Sequence, residues 1–107
     1  YYETADSLVI VTPLYWYTYT AQVKAALDKY YALMVAGRPQ PIKEVYLITC
    51  GAGKDDYKYE AIINTHDLIA RDRKWENLGC YHVNGVFKKG DIEEKYLDEI
   101  EKIGREF

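Results

Sequence analysis

Two short stretches of this sequence combine residue types that suit the binding of a small molecule. Thr12 to Thr18 contains three aromatic side chains, and Gly51-Ala52-Gly53 lets a ligand approach the backbone closely because it lacks bulky side chains. Each stretch directly follows an apolar run. Because open α/β sheets bind ligands in loops at the carboxyl ends of their parallel strands, these two stretches are the candidate binding loops.

Side chains that could act as nucleophiles, acids or metal ligands have simpler structural interpretations. Cys50 lies beside the second candidate loop, but no clear base accompanies it, and packing of a small side chain explains it better. Helix capping explains Asp55 and Asp56. His66 lies on the apolar stripe of a helix and His82 in a strand, and neither has a histidine or cysteine at metal-ligand spacing. No metal site is therefore predicted.

The elements that position these residues follow from the hydrophobic pattern. Leu8 to Val11 is an unbroken apolar run of the kind that forms a strand buried on both faces, and helical spacing follows it. The predicted elements are strands at Ser7–Thr12, Glu44–Cys50 and Cys80–Val86, and helices at Thr18–Ala36, from Asp55 or Asp56 to about Gly79, and from Asp91 onward. This βαβαβα order predicts a parallel sheet with right-handed crossovers.

Helix ends are predicted from capping residues. Thr18 or Thr20 can begin the first helix, because a hydroxyl at that point accepts a hydrogen bond from a free backbone N–H. Asp91, with Glu94 three residues later, resembles a capping box for the last helix. Gly79 is the predicted stop of the second helix.

Length, charge and composition narrow the class of protein. The 107 residues allow one domain, and 49% apolar with 29% charged residues is an ordinary globular balance. The formal net charge of −3 disfavours nucleic acid and anionic membranes as partners. No signal peptide or membrane-spanning run is visible. Cys50 and Cys80 are expected too far apart to form a disulfide, at opposite edges of the sheet. We therefore expect a cytoplasmic protein.

One further pattern points to a family. Ala5-Asp6 precedes the first strand, Thr12-Pro13-Leu14-Tyr15-Trp16 follows it, and the helix contains Ala21-Gln22-Val23-Lys24-Ala25-Ala26-Leu27-Asp28-Lys29. In this order and spacing, these residues resemble the middle of the flavodoxin-like NAD(P)H-dependent FMN reductases. The sequence departs from the family at Tyr17 and Tyr19, which would narrow the pocket where small residues are usual, and at Lys29, where arginine is common.

The resemblance implies a three-layer flavodoxin-like fold that is present only in part. The three predicted strands align with the third, fourth and fifth strands of the family, so the first β-α-β unit is missing from residues 1–107, a single partial domain. That unit contains the family's loop for the FMN phosphate. Gly51-Ala52-Gly53-Lys54 does not replace it, because it lacks the spacing of a P-loop.

The resemblance also implies a chemistry: hydride transfer from NAD(P)H to FMN, then reduction of a quinone-, nitro- or azo-type small-molecule acceptor. In this interpretation backbone N–H groups meet the pyrimidine edge of the flavin, Tyr15 or Trp16 flanks its ring, and no catalytic side chain is required. The implied cofactor-binding residues are Thr12, Pro13, Leu14, Tyr15, Trp16, Tyr17, Thr18, Cys50, Gly51, Ala52 and Gly53.

The missing unit leaves the strand at Leu8 to Val11 on an edge of the sheet, where its backbone and apolar side chains are exposed. We expect another chain copy, a missing fragment or a rearranged topology to cover it, and a homo-oligomer is the expected assembly. The alternative to an enzyme is a non-catalytic, truncated or engineered half-domain that associates with itself through this strand.

Overall fold

The sheet contains three parallel strands in the order β1-β2-β3. The computed structural model describes residues 1–107. Its elements are β1 (Ser7–Pro13), α1 (Ala21–Val35), β2 (Glu44–Cys50), a short 3₁₀ turn (Asp56–Tyr59), α2 (Glu60–Arg73), β3 (Glu76–Val83) and α3 (Glu94–Arg105). This arrangement confirms the predicted βαβαβα order and is consistent with the flavodoxin-like fold, with β1 on an edge.

One face of the sheet carries the hydrophobic core. Val45 and Leu47 of β2 point to this face and are buried, as period-2 alternation requires. Both crossovers run in the same direction along the sheet, so right-handed connections place α1 and α2 on this face. Tyr30 of α1 meets Trp75, which follows α2, edge to face with ring centroids 5.2 Å apart. The core therefore lies between the sheet and two helices.

The second face is only partly covered. The C-terminal residue Phe107 contacts Tyr46 of β2 edge to face at 5.9 Å, which brings α3 over β2 and β3. The helix α3 nevertheless contains no buried residue. On β1 the second face is open: Val9 is 40% exposed and Val11 66% exposed. The three layers predicted from the sequence are present, and the third is incomplete.

The helix α1 begins at one of the two predicted capping residues, Thr18 and Thr20. Thr20 is the N-cap, and its hydroxyl oxygen accepts from the backbone N–H of Val23 at 3.3 Å. Thr18 instead belongs to the turn before the helix. None of the three helices has the length and the apolar character needed to cross a bilayer.

The predicted boundary between α2 and β3 is wrong by several residues. The helix ends at Arg73 because Lys74 adopts left-handed backbone angles (φ 59°, ψ 35°) and Trp75 then turns into the core. The N–H of Trp75 donates to the carbonyl of Ala70 at 2.8 Å, which completes a helix C-cap. The strand therefore begins at Glu76 rather than at Cys80, and it ends at Val83 rather than at Val86.

Gly79 does not stop the helix; it lies inside β3 at a bulge. Asn77 pairs with Val45 and Gly79 with Tyr46, so Leu78 is an extra residue on β3. Gly79 has a φ of +124°, which disfavours any residue with a Cβ. The bulge explains why a glycine interrupts this strand.

The predicted acidic caps are also wrong. Glu93 rather than Asp91 precedes α3, without a side-chain cap. The Asp91 carboxylate accepts from the N–H groups of Phe87 (3.0 Å) and Lys88 (2.8 Å), because the loop before α3 folds back on it. Asp55 precedes the 3₁₀ turn without a side-chain bond. Asp56 lies inside that turn and contacts the side chains of His82, near the end of β3, and Asn84, just after it.

The two cysteines are free, and they lie on opposite faces of the sheet. Cys50 ends β2 as predicted, whereas Cys80 lies within β3 opposite Leu47 instead of beginning the strand. Cys80 thus shares the core face with Leu47, while Cys50 alternates to the second face. The two thiols are therefore separated because they lie on opposite faces of the sheet, and not because they lie at opposite edges as predicted.

Candidate functional site

The two candidate loops contact each other at the carboxyl end of the sheet. The N–H of Leu14 donates to the carbonyl of Cys50 at 2.7 Å. The side chain of Leu14 also lies against Gly51, where an added Cβ would be 3.1 Å from the Leu14 Cβ. Gly51 therefore permits the close approach of the first loop.

The first loop ends in a tight and strained turn. Tyr15 and Thr18 exchange backbone hydrogen bonds of 3.1 and 3.2 Å, and the two residues between them, Trp16 and Tyr17, have positive φ angles of 48° and 73°. Two consecutive positive φ angles define a type I′ turn, which normally contains Asn-Gly. Left-handed backbone at a bulky residue costs about 1–3 kcal/mol and concentrates at functional sites. Trp16 is 92% exposed at this turn.

The second loop is held from the opposite side by the segment that follows β3. Gly51 donates to the carbonyl of Val83 at 3.2 Å and accepts from the N–H of Val86 at 2.8 Å. Gly53 accepts from the N–H of Gly85 at 3.0 Å. All three strand ends therefore meet at the Gly51-Ala52-Gly53 loop, which lies at the centre of this edge of the sheet.

A cleft of about 180 Å³ lies between the two loops. Its lining combines apolar and aromatic side chains with small residues and one cation: Leu14, Trp16, Tyr17, Ala52, Gly53 and Lys58. The N–H groups of Trp16, Tyr17, Ala52 and Gly53 make no backbone hydrogen bonds within the chain. The cleft thus offers flat apolar contact together with free backbone donors.

Some residues implied as flavin-binding do not line this cleft. Thr12, Pro13 and Cys50 line a separate hollow of about 210 Å³ that also contains Ile48 and Ile100. Thr12 is buried, and its hydroxyl bonds the carbonyl of Pro13 at 2.9 Å. Tyr15, Thr18 and Gly51 line neither hollow, and of the implied residues Leu14, Trp16, Tyr17, Ala52 and Gly53 line the cleft itself.

Tyr19, one of the two bulky departures from the family pattern, points away from the cleft. It is buried in the core, and burial raises the pKa of its phenol to about 12. Its hydroxyl is buried without a hydrogen-bond partner. Tyr17, the other departure, does line the cleft and narrows it.

The thiol of Cys50 is poorly suited to act as a nucleophile. Burial raises its pKa, because a thiolate is less well solvated there than in water. This agrees with packing as the better interpretation of Cys50.

A polar network beside the cleft was missed by sequence reasoning. The His82 Nε2 lies 3.3 Å from the Asp56 carboxylate, and the Asn84 side-chain amide donates to the same oxygen at 2.8 Å. The amide bond from Asn84 and the contact with His82 lower the pKa of Asp56. Their positions in the sequence could have indicated this network, because the three residues lie close to the carboxyl ends of neighbouring parallel strands.

A second hollow lies away from the strand ends. A groove of about 380 Å³ runs between α1 and α2 and is lined by side chains that include Leu27, Tyr31, Met34 and Leu68. No residue of the strand ends lines it. The candidate site at the strand ends is smaller than this groove, and it is lined by the segments that follow β1 and β2.

The fold is a parallel α/β arrangement consistent with a flavodoxin-like protein, and the cleft at the carboxyl edge of its sheet is the candidate ligand site. The family described as NADPH-dependent FMN reductase matches residues 2–58, which is more than half of the chain. The chain belongs to this family, which uses FMN and NADPH. The matched residues contain both loops of the cleft. Comparisons with curated proteins and with solved structures give no match.

Proposed function

We propose that this chain provides the ring-binding part of the flavin site in an NAD(P)H-dependent FMN oxidoreductase. The observation that carries the proposal is the cleft between the Leu14–Tyr17 and Ala52–Gly53 segments, with an exposed tryptophan on a strained turn beside free backbone donors. Strain persists in a fold only where the surroundings impose it, and here it presents Trp16 to a ligand.

The residues present fit the ring of a flavin. Isoalloxazine is flat and largely apolar, with carbonyl oxygens along one edge, so it needs flat walls and hydrogen-bond donors. Leu14, Trp16 and Tyr17 supply the walls, and Ala52 and Gly53 supply N–H groups and leave space. At Gly53 an added Cβ would lie 2.5 Å from the Cδ of Lys58, so a larger residue would displace that side chain.

Each residue has a role that requires no proton transfer by a side chain. Trp16 would stack on a bound flavin ring, the Ala52 and Gly53 N–H groups would bind its polar edge, and Lys58 places a positive charge beside the cleft. A bound flavin supplies the redox chemistry, a two-electron transfer from NAD(P)H to a quinone-, nitro- or azo-type acceptor. Leu14 and Tyr17 limit access of water to the ring.

The phosphate of FMN needs groups that this chain does not provide in the family manner. Val9 and Val11 are exposed on β1, an edge strand without a charged residue. We propose that a second copy of the chain covers β1 and completes the phosphate side of the site. The assembly is thus a homo-oligomer in which flavin affinity depends on association.

A non-catalytic half-domain that only associates through β1 is the alternative. The exposed strand is compatible with both the flavin enzyme and the half-domain. The cleft distinguishes the two functions, because association alone requires neither a strained aromatic turn nor free backbone donors. The family match to both loops favours the flavin site.

Flavin titration with a mass measurement on the same sample tests the proposal. We expect quenching of flavin fluorescence at one flavin per chain, and FMN binding more tightly than riboflavin in the oligomer. Trp16→Ala should weaken binding by up to about tenfold, because it removes an aromatic stacking contact worth up to about 1.5 kcal/mol. Tyr31→Ala, which removes an exposed aromatic residue on α1, is the matched control. Absence of binding at millimolar FMN would overturn the proposal.

A further inference from the structure

Tyr59 lies directly behind the second loop of the cleft. It is the last residue of the 3₁₀ turn before α2, it is 0% exposed, and it does not line the cleft. Its hydroxyl oxygen lies 3.2 Å from the carbonyl oxygen of Gly51, 3.1 Å from that of Gly53 and 3.4 Å from that of Val83. One buried hydroxyl therefore faces the backbone carbonyls of two loop residues and of a strand end.

These contacts fix the direction of the opposite side of each peptide group. Every peptide bond in the chain is trans, so the N–H of Ala52 points away from the carbonyl of Gly51, and the N–H of Lys54 away from that of Gly53. Because both carbonyls face the buried Tyr59, both N–H groups face outward. Neither N–H makes a backbone hydrogen bond within the chain.

The ring of Tyr59 is itself held in place. It stacks on the His82 imidazole with centroids 4.7 Å apart and planes at 25°. His82 contacts the Asp56 carboxylate, which also accepts from Asn84. Asn84 in turn donates to the carbonyl of Lys54 at 3.1 Å. The tyrosine is thus tied to the loop through its hydroxyl and through this side-chain network.

We propose that Tyr59 is a positioning residue for the flavin, aiming the N–H group of Ala52, which lines the cleft, at an oxygen on the polar edge of the ring. This inference rests on the proposed function of the cleft. Tyr59 acts from behind the loop without touching the ligand. A reduced flavin carries more negative charge on that edge than an oxidised one, so well-aimed donors favour the reduced form.

The test compares Tyr59→Phe with Tyr30→Phe in the full chain. Tyr30 is a buried tyrosine whose hydroxyl contacts the Gln40 side chain at 3.3 Å. Tyr30 packs against Trp75, just before β3 begins, so it lies at the opposite end of the sheet from the cleft. Each variant loses one tyrosine hydroxyl and keeps its ring. We measure FMN affinity, the reduction potential of the bound flavin and thermal stability for both variants and for the parent chain.

The expected result is a loss of FMN affinity of roughly three- to tenfold in Tyr59→Phe, the factor for one neutral hydrogen bond, with a lower flavin potential. Tyr30→Phe should lose thermal stability without either change. Equal affinity and potential in the two variants would overturn the positioning role while leaving the flavin site intact. A parent chain that binds no FMN would overturn the proposed function, and the role of Tyr59 with it.

Discussion

The two outer strands of the sheet differ in how they treat their free edges. β1 has the sequence Ser-Leu-Val-Ile-Val-Thr-Pro, without a charged residue, and exposes Val9 and Val11. β3 contains Glu76 at its start and a bulge at Gly79. The Asn77 side chain accepts from the N–H of Gly79 at 3.0 Å, so part of this edge is satisfied within the strand itself.

This difference shows which edge is suited to remain exposed. Charge, bulges and local satisfaction of backbone groups are how natural sheets prevent edge pairing, and β3 has all of them. An uncharged β-branched run without alternation is typical of an interior strand of a parallel sheet, and β1 has that character. The chain therefore has one protected edge, at β3, and one edge, at β1, whose sequence suits pairing with a further strand.

The largest expected effect comes from placing a charge on the unprotected edge. Val11→Lys should weaken self-association at least tenfold, because a buried unpaired lysine is costly at an interface. Light scattering after size-exclusion chromatography measures the change in mass. Leu78→Lys, a partly exposed residue of β3, is the control and should leave the mass unchanged. A parent chain that is already monomeric would contradict the assigned role of β1.

Next in size is the effect of straining the backbone at the bulge of the protected edge. Gly79→Ala should lower the free energy of unfolding by about 1–3 kcal/mol, because a Cβ is strained at a φ of +124°. Chemical denaturation measures the loss. Gly104→Ala is the control, since Gly104 lies in α3 with open space around it and its change should stabilise the chain by up to about 1 kcal/mol. Equal effects would show that the bulge is not required.

The turn after β1 offers a smaller change in the opposite direction. Replacing Trp16 with Asn and Tyr17 with Gly suits a type I′ turn and should raise the free energy of unfolding by about 1–2 kcal/mol. The same double variant should lose most of its FMN affinity. Calorimetry and flavin titration on one sample separate the two effects. A variant that is no more stable than the parent chain would show that the turn stores no strain.

The smallest expected effect is a pH dependence of the stability of the fold, caused by His66 next to the protected edge. His66 is buried and contacts the Asn77 side chain at 3.1 Å, and burial lowers its pKa from the ordinary 6.5. Because the unfolded chain binds the proton more readily, the contribution of His66 is complete above pH 6.5 and is lost as the pH falls towards the lowered pKa. Stability measured from pH 7.5 to 5 should decline less steeply in His66→Gln; parallel slopes would exclude His66 as the cause.

Local patterns in the sequence were sufficient for much of the fold. The apolar runs place β1 and β2, the hydroxyl of Thr20 starts α1, and spacing along α2 identifies the buried positions Ile62 and Ala70. These features depend on neighbours in the chain, so they can be read without the tertiary structure. The contact between the two candidate loops also followed from the rule for parallel strands.

What escaped prediction depends on contacts between distant residues. Trp75 ends α2 by packing on Tyr30, although no breaker residue marks that point. Trp16 and Tyr17 form a turn that their types disfavour, so composition gave no indication of it. Asp91 could cap a helix or close a loop, and only the folded chain determines which.

The incomplete third layer has a consequence for the motions of the protein. α3 has no buried residue, so its separation from the sheet exposes little apolar surface and costs little free energy. The backbone amide hydrogens of α3 should exchange with solvent long before those of β2. Each time α3 separates from the sheet, the thiol of Cys50 on that face should become exposed. The rate at which a thiol reagent labels Cys50 therefore reports how often α3 separates from the sheet while the rest of the fold stays intact.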